Sequence, residues 1–309
     1  VEERDAMVGS VSVATAVYSD RKSHLSFGIN PETDSGLEFG ALDWPLFRVD
    51  EAKVKFVDFT STEELRRISY ASNPQNIVDV DYIWTGSGSL KDIVGQQDQF
   101  DFAIASHVIE HIPNVLGWFR GIFEVLQPNG RFNLAIPDKR FTFDVERRET
   151  TIAEIVEADL LDLRAPNVRQ VFDHVYKSRQ IPPGAIWHNE QPVESFPAMS
   201  GANPLETAFS MARSVHESGT YYDTHCSVFT PSSFLTVFEE ATRLGLFEFY
   251  IEKMVVTGPG GKEASGFEFF INLVRPTKDM GTKIRLVERV CELREEVRRL
   301  DRHFKLLAP

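Results

Sequence analysis

Residues 100–144, FDFAIASHVIEHIPNVLGWFRGIFEVLQPNGRFNLAIPDKRFTFD, constrain the fold of this chain more than any other stretch. Two apolar runs, 102–105 and 132–136, each stop abruptly in polar residues. Ser106 and His107 follow the first run, and Pro137, Asp138, Lys139 and Arg140 follow the second. Between them, residues 115–126 place apolar side chains at helical spacing until Gln127, Pro128, Asn129 and Gly130 stop the pattern. Strand, helix, strand is the unit of a parallel α/β sheet, and in such sheets ligands bind beyond the carboxyl ends of the strands. The two polar tips are therefore where chemistry is expected.

The same alternation runs through the chain. Residues 36–40 (GLEFG) read as a first strand entering a turn, and 54–59 (VKFVDF) as a second ending near Asp58. A helix over 61–68 opens with Ser61 three residues before Glu64, a capping box. Residues 77–84 read as a third strand running into the Gly and Ser-rich turn at 85–89, with 100–105 and 131–136 as the fourth and fifth. Pro231 starts and Gly245 ends an amphipathic helix. Residues 247–258 and 266–276 then predict an antiparallel hairpin across Pro259, Gly260 and Gly261. Seven strands result. The expected organisation is an N-terminal cap over 1–35, a main domain over 36–276 and a C-terminal helix over 283–307. The main domain carries an insertion at 145–225, read as a helical lid because structureless loops of that length are uncommon in compact domains.

The C-terminal helix repeats Leu286, Val290, Leu293, Val297, Leu300, Phe304 and Leu307 in alternating steps of four and three, a heptad seam. Such a seam serves a coiled coil that makes a homo-oligomer or holds a partner; a helix docked on its own domain is the alternative. Thirty-three basic against 46 acidic residues, a net charge of -13, argue against a nucleic-acid partner, whose binding needs a basic face. A local basic patch at Lys139, Arg140, Arg147 and Arg148 would hold an anion or line a solvated helix start. Cys226 and Cys291 are too far apart in sequence to suggest a disulfide framework or a metal-ligand motif, so a reducing, cytoplasmic location is expected. No apolar run has the length of a membrane span, and the acidic start VEERDAMVGS is unlike a signal peptide.

Two features have a physical reading of their own. Gly40 and Ala41, after the first strand, give the clearance that a ligand needs to approach the backbone. Asp58, at the end of the second, suits the two hydroxyls of a ribose. Taken in order, LEFGALDWPL (37–46), Asp58, ASHVIEH (105–111) and PDKRFTFD (137–144) resemble the class I S-adenosylmethionine-dependent methyltransferases. They look most like a bacterial subgroup whose first motif reads E-I-G-A-L before a Pro-Leu, whose fifth strand ends in Pro-Asp-Lys-Arg, and which is often associated with glycan or polysaccharide modification. The resemblance covers residues 36–144 and resumes at 223–234.

It implies a Rossmann-like, doubly wound seven-stranded sheet with an antiparallel last strand, S-adenosylmethionine as cofactor, and methyl transfer to a hydroxyl of a saccharide or glycan intermediate. By resemblance, Glu38 and Gly40 border the methionine part, Thr85 and Gly86 the adenine, and Ser106 and His107 the sulfonium and the acceptor. Glu110 and His111 are assigned to holding the helix start.

Transfer to oxygen needs positioning and a base for the hydroxyl proton. The candidates are His174, His225, Asp138 and His107. Asp223 and His225, one residue apart, would face the same side of an extended segment and act together. Asp138, Asp144, His174, Asp223 and His225 form an alternative set for a magnesium ion that lowers a hydroxyl's pKa. Trp187, Phe196, Tyr221 and Tyr222 suit either stacking on a sugar or lid packing. Two other classes share parts of this pattern. A nicotinamide-dependent oxidoreductase would normally carry G-x-G-x-x-G, which LEFGALDWP lacks. A catalytically inactive scaffold would use the sheet to display the C-terminal helix.

Overall fold

The computed structural model describes residues 21–68, 71–86, 88–95, 99–181, 192–257 and 266–307. Their strands form one seven-stranded sheet: β1 (Ser35–Phe39), β2 (Lys53–Asp58), β3 (Tyr82–Ile83), β4 (Phe100–Ser106), β5 (Leu126–Pro137), β6 (Tyr250–Val256) and β7 (Glu268–Val274). The strand order is β3-β2-β1-β4-β5-β7-β6. The first five strands run parallel, and β7 lies antiparallel to both β5 and β6. The chain winds outward in both directions from β1 and β4, so the crevice between their tips is the topological switch point.

Alternation along β4 shows why both faces must be covered. Phe102 and Ile104 pack with Leu25, Phe47 and Phe56 on one face, whereas Ala103 and Ala105 face the larger cluster on the other. Helices α1 (Thr62–Ile68), α2 (Leu90–Val94) and α3 (Val115–Val125) link the parallel strands. The Asn114 side chain caps α3 by accepting from Gly117 N at 2.8 Å. Trp118, Phe119, Ile122 and Val125 are buried along this helix, and the Phe119 ring meets Phe132, Phe247 and Phe249 at centroid distances of 5.1–5.9 Å. Each such buried side chain contributes about 1.5–3 kcal/mol.

The stretch read as a helical insertion holds α4 (Ile152–Leu160), α5 (Val168–Lys177) and α6 (Pro204–Ser218), and α7 (Pro231–Leu244) follows it. On β5 and β7, the paired and buried Asn133 and Asn272 donate to the carbonyls of His24, Leu25 and Phe27, which fastens the start of the described chain to the sheet.

Three expectations change. The third strand shrinks from 77–84 to Tyr82–Ile83 because its leading amides bond elsewhere: Val78 N to Leu42 O and Val80 N to Thr62 Oγ1. The fifth strand starts earlier, at Leu126, with a register shift opposite Phe100 and Phe102. The C-terminal helix α8 (Lys283–Leu307) docks on its own chain, where Leu286, Val290, Leu293 and Val297 are at most 4 % exposed. Arg294 pairs with Glu239 of α7, and Arg289 donates to the Ile251 and Glu252 carbonyls of β6. The first half of the seam is thus occupied within the molecule, while Leu300 remains 44 % exposed. The proposed turn Pro259, Gly260 and Gly261 lies outside the described residues.

Candidate active site

The tips of β1 to β4 open into one cavity of about 750 Å³, lined among others by Gly40, Asp58, Thr85, His107, His111 and Asp223. Its size falls within the range of small-molecule sites, about 300–1,000 Å³. Phe39, Val57, Trp84, Ile112 and Trp118 make its wall apolar. Gly40 adopts φ +63° and donates to Val57 O at 3.0 Å. A Cβ there would lie 2.7 Å from Val108 Cγ2, so only glycine keeps this approach open. Asp58 Oδ1 accepts from Phe59 N at 2.8 Å, and Oδ2 has no protein partner among the described residues. Burial, and then the nearby Asp223 carboxylate, push the Asp58 pKa up to about 6 against the Phe59 amide.

His107 follows β4 in the left-handed region, φ +54°, which costs a non-glycine residue about 1–3 kcal/mol. Two bonds hold it there. Its amide donates to Ala135 O at 3.0 Å, and Nε2 lies 2.8 Å from Glu268 Oε2. Glu268 comes from β7, opposite Pro137, and its other oxygen accepts from Arg21 Nε at 2.9 Å. Burial opposes its ionisation, but His107 and Arg21 together hold its carboxyl below the usual range. A carboxylate only accepts, so Nε2 of His107 carries a hydrogen, and Nδ1 lies 3.5 Å from Glu110 Oε1.

Behind this wall, the segment 223–228 docks on the short helical turn Ile109–His111: Cys226 N and Ser227 N donate to Glu110 O at 2.5 and 3.2 Å. His111 Nδ1 meets Asp223 Oδ1 at 2.8 Å, and His225 Nδ1 meets Asp144 Oδ2 at 2.5 Å. The expected Asp223–His225 pair is therefore exchanged, each member bonding a residue far away in sequence. Arg147 donates to Asp144 Oδ1, Asp173 Oδ2 and the His225 carbonyl at 2.8–2.9 Å. His174, on α5, lies 5.6 Å from His225 ring to ring, and its Nδ1 is buried with no hydrogen-bond partner among the described residues. Burial first, then the neighbouring His225 and Arg147, drive its pKa down to about 3, so it is neutral at ordinary pH.

Other expected site residues stand apart from the cavity lining. Glu38 turns into the protein, where its carboxylate accepts from Leu46 N at 2.7 Å and Phe47 N at 3.5 Å, and burial pushes its pKa up to about 7. Ala41 packs against the second apolar cluster, and Ser106 accepts from Arg21. Gly86 serves the turn with φ +82°. Asp138 is fully buried, pairs with Arg140 and caps the turn Lys139–Phe141, so the structure gives it the geometry of a brace. The basic patch is likewise engaged internally: Lys139 by the Val145 carbonyl, Arg147 by Asp144 and Asp173, and Arg148 by Glu154. Tyr221 lines the cavity and stacks on Phe59 at 5.4 Å, whereas Tyr222 packs with α5 and α6. Trp187 lies outside the described residues. Sequence reasoning placed His111 at a helix start; its contact with Asp223 depends on tertiary docking and leaves no local signal.

A family model described as "Methyltransferase domain" matches residues 17–241, nearly three quarters of the chain. The chain belongs to the methyltransferase-domain family. Solved S-adenosylmethionine-dependent methyltransferases resemble this methyltransferase at low identity. One from Mesorhizobium loti is 13% identical, covering 78% of this chain and 90% of its own at a TM-score of 0.39. One from Thermotoga maritima is also 13% identical, covering 87% and 97% at 0.39, and one from Methanosarcina mazei is 12% identical, covering 79% and 93% at 0.37. No curated protein matches. S-adenosylmethionine is the methyl donor expected of this fold, and the cavity fits it on two counts. Gly40 leaves the opening that a Cβ would fill, and Asp58 presents a carboxylate oxygen with no partner among the described residues, an acceptor of the kind a ribose needs. Among the described residues, no helix is long and apolar enough to cross a membrane.

Proposed function

We propose that the methyltransferase moves the methyl group of S-adenosylmethionine onto a hydroxyl of a saccharide or glycan intermediate. The observation that carries this reading is the convergence of Gly40, Asp58, Thr85 and His107, the tips of four adjacent strands, on one cavity. When bound, the cofactor supplies a methyl group on a sulfonium, ready for in-line displacement by oxygen. Asp58 binds the ribose, Thr85 borders the adenine, and the walls of Phe39, Trp84 and Trp118 keep water from the reacting centre. His107, oriented by Glu268, would take the acceptor's proton on its imidazole as the carbon–oxygen bond forms and the methyl–sulfur bond breaks.

The saccharide acceptor rests on the resemblance of the first and fifth strand motifs and on the Phe59–Tyr221 stack, whose aromatic faces suit a sugar ring. Self-association through α8 is proposed on the exposure of Leu300 and on the heptad pattern that continues in the sequence after it.

The test is methyl transfer from labelled S-adenosylmethionine across a panel of saccharides. His107→Gln is expected to lower turnover about 10²- to 10⁴-fold while affinity for the cofactor changes far less. Normal turnover in that variant removes His107 as the base, and transfer only to non-carbohydrate acceptors removes the substrate class.

A further inference from the structure

We propose that Glu110, His111 and His225 bind one divalent first-row transition-metal cation at the wall of the cofactor cavity. One ring nitrogen of each histidine and a carboxylate oxygen of Glu110 lie within 4.8 Å of one another. In a tetrahedral shell, metal–ligand bonds of about 2.0–2.2 Å put the donors about 3.3–3.6 Å apart, so the widest pair has to close by about 1.2–1.5 Å through side-chain rotation.

Two independent features point to a ligand. The first is the hydrogen-bond pattern of the imidazoles. His111 and His225 each direct Nδ1 at an aspartate, Asp223 and Asp144, which leaves Nε2 of both rings for a ligand. A carboxylate on the far nitrogen of a metal-bound imidazole fixes its tautomer and raises its basicity, and both rings are already braced in this way. The second is Glu110 itself. It is 3 % exposed, and neither carboxylate oxygen has a hydrogen-bond partner among the described residues. The nearest ring nitrogen, His107 Nδ1, is 3.5 Å away without hydrogen-bond geometry. A carboxylate left this way is among the costliest groups to bury, and a bound cation removes the cost.

The surroundings favour positive charge. Asp144 and Asp173 share the guanidinium of Arg147, and among the described residues neither Glu110 nor Asp223 is paired with an arginine or a lysine. Two imidazoles and one carboxylate suit zinc, manganese or ferrous iron better than magnesium, which favours all-oxygen shells. This ligand set also differs from the magnesium set read from sequence, because Asp144 and Asp223 are spent on the imidazoles and Asp138 on Arg140. His111 lines the cavity beside His107, so open positions on the ion would face an acceptor oxygen there. That last role rests on the methyl-transfer reading; the binding of the cation does not.

The experiment strips the full chain with EDTA and titrates it calorimetrically with zinc chloride, magnesium chloride and, separately, S-adenosylmethionine. One zinc per chain is expected, with no saturable magnesium binding. Glu110→Gln and His225→Ala should each weaken zinc binding at least about 100-fold, since even partners of metal ligands cost about 10- to 100-fold when removed. X-ray absorption on the zinc-loaded wild-type protein, which does not depend on the variants folding, should show two imidazoles on the metal. No stoichiometric zinc, unchanged affinity in folded variants, or a shell without imidazole would overturn the proposal. If zinc binds as described and S-adenosylmethionine does not, the metal site stands and the cofactor reading fails.

Discussion

The proposed binding of the cofactor's ribose by Asp58 carries a pH signature that can be worked out in advance. Burial and the nearby Asp223 raise the Asp58 pKa to about 6, so below that pH a proton occupies the carboxylate that the ribose hydroxyls need. The free site takes up the proton more readily than the bound one, and affinity is therefore lost as pH falls through about 6. With a pKa of about 6, the apparent Kd is multiplied by about 11 at pH 5 and by about 1.1 at pH 7. Asp58→Asn keeps one acceptor but loses the charge. A hydrogen bond to a charged group contributes about 1.5–3 kcal/mol, so the variant should bind about 10- to 150-fold more weakly at pH 7. Its Kd should also be nearly flat between pH 5 and 7. Trp84 and Trp118 line the cavity and provide a fluorescence signal for the titration. Adenosine, measured beside S-adenosylmethionine, removes the cofactor's amino group as a source of pH dependence. A flat Kd in the wild-type protein, or the same slope in Asp58→Asn, would refute the assignment.

Glu38 and α8 yield predictions about stability. Glu38 has a folded pKa of about 7 against an ordinary 4.5, so the folded state holds its proton more tightly. The stability it contributes is complete below pH 4.5 and is lost as pH rises to about 7. The gap corresponds to about 3 kcal/mol over the whole range, of which about 2 kcal/mol falls between pH 5 and 7.5, and urea unfolding of Glu38→Gln should lack that much of the pH dependence; an unchanged difference would contradict the assignment. Truncation before Lys283 uncovers the surface packed by Leu286, Val290, Leu293 and Val297. Four such side chains contribute about 6–12 kcal/mol at the ceiling, comparable to the whole stability of a domain. The truncated chain should therefore melt far lower or fail to fold, and an intact melting temperature would mean that the helix docks weakly.

The parts of the fold that were legible in the sequence are those governed by local rules. Strands β1, β2, β4 and β5 announce themselves as apolar runs with polar tips, and α3 by its period and by the turn after it. At Ser61, the predicted cap accepts from Glu64 N at 3.3 Å, although the Glu64 side chain turns to Arg67. Strand β3 was overread because its apolar residues gave no sign that Leu42 and Thr62 would claim its amides. The heptad seam told correctly which side of α8 is buried, but not that α7 and β6 of the same chain would cover its first half.

In the site, Gly40, Asp58, Thr85 and His107 were legible because a strand tip fixes where the next residue lies. The exchange that pairs His111 with Asp223 and His225 with Asp144 was not, since each pair joins segments 81 or more positions apart. Glu268 was missed as the partner of His107 for the same reason: it reaches the site only through the antiparallel register of β7 on β5.

The most direct test of the central claim is a crystal structure of the full chain with S-adenosylhomocysteine bound. The ribose hydroxyls should lie on Asp58, the adenine beside Thr85, the amino-acid part over Gly40, and the sulfur toward His107. A ligand seated elsewhere, or a cavity that takes none at saturating concentration, would contradict the account.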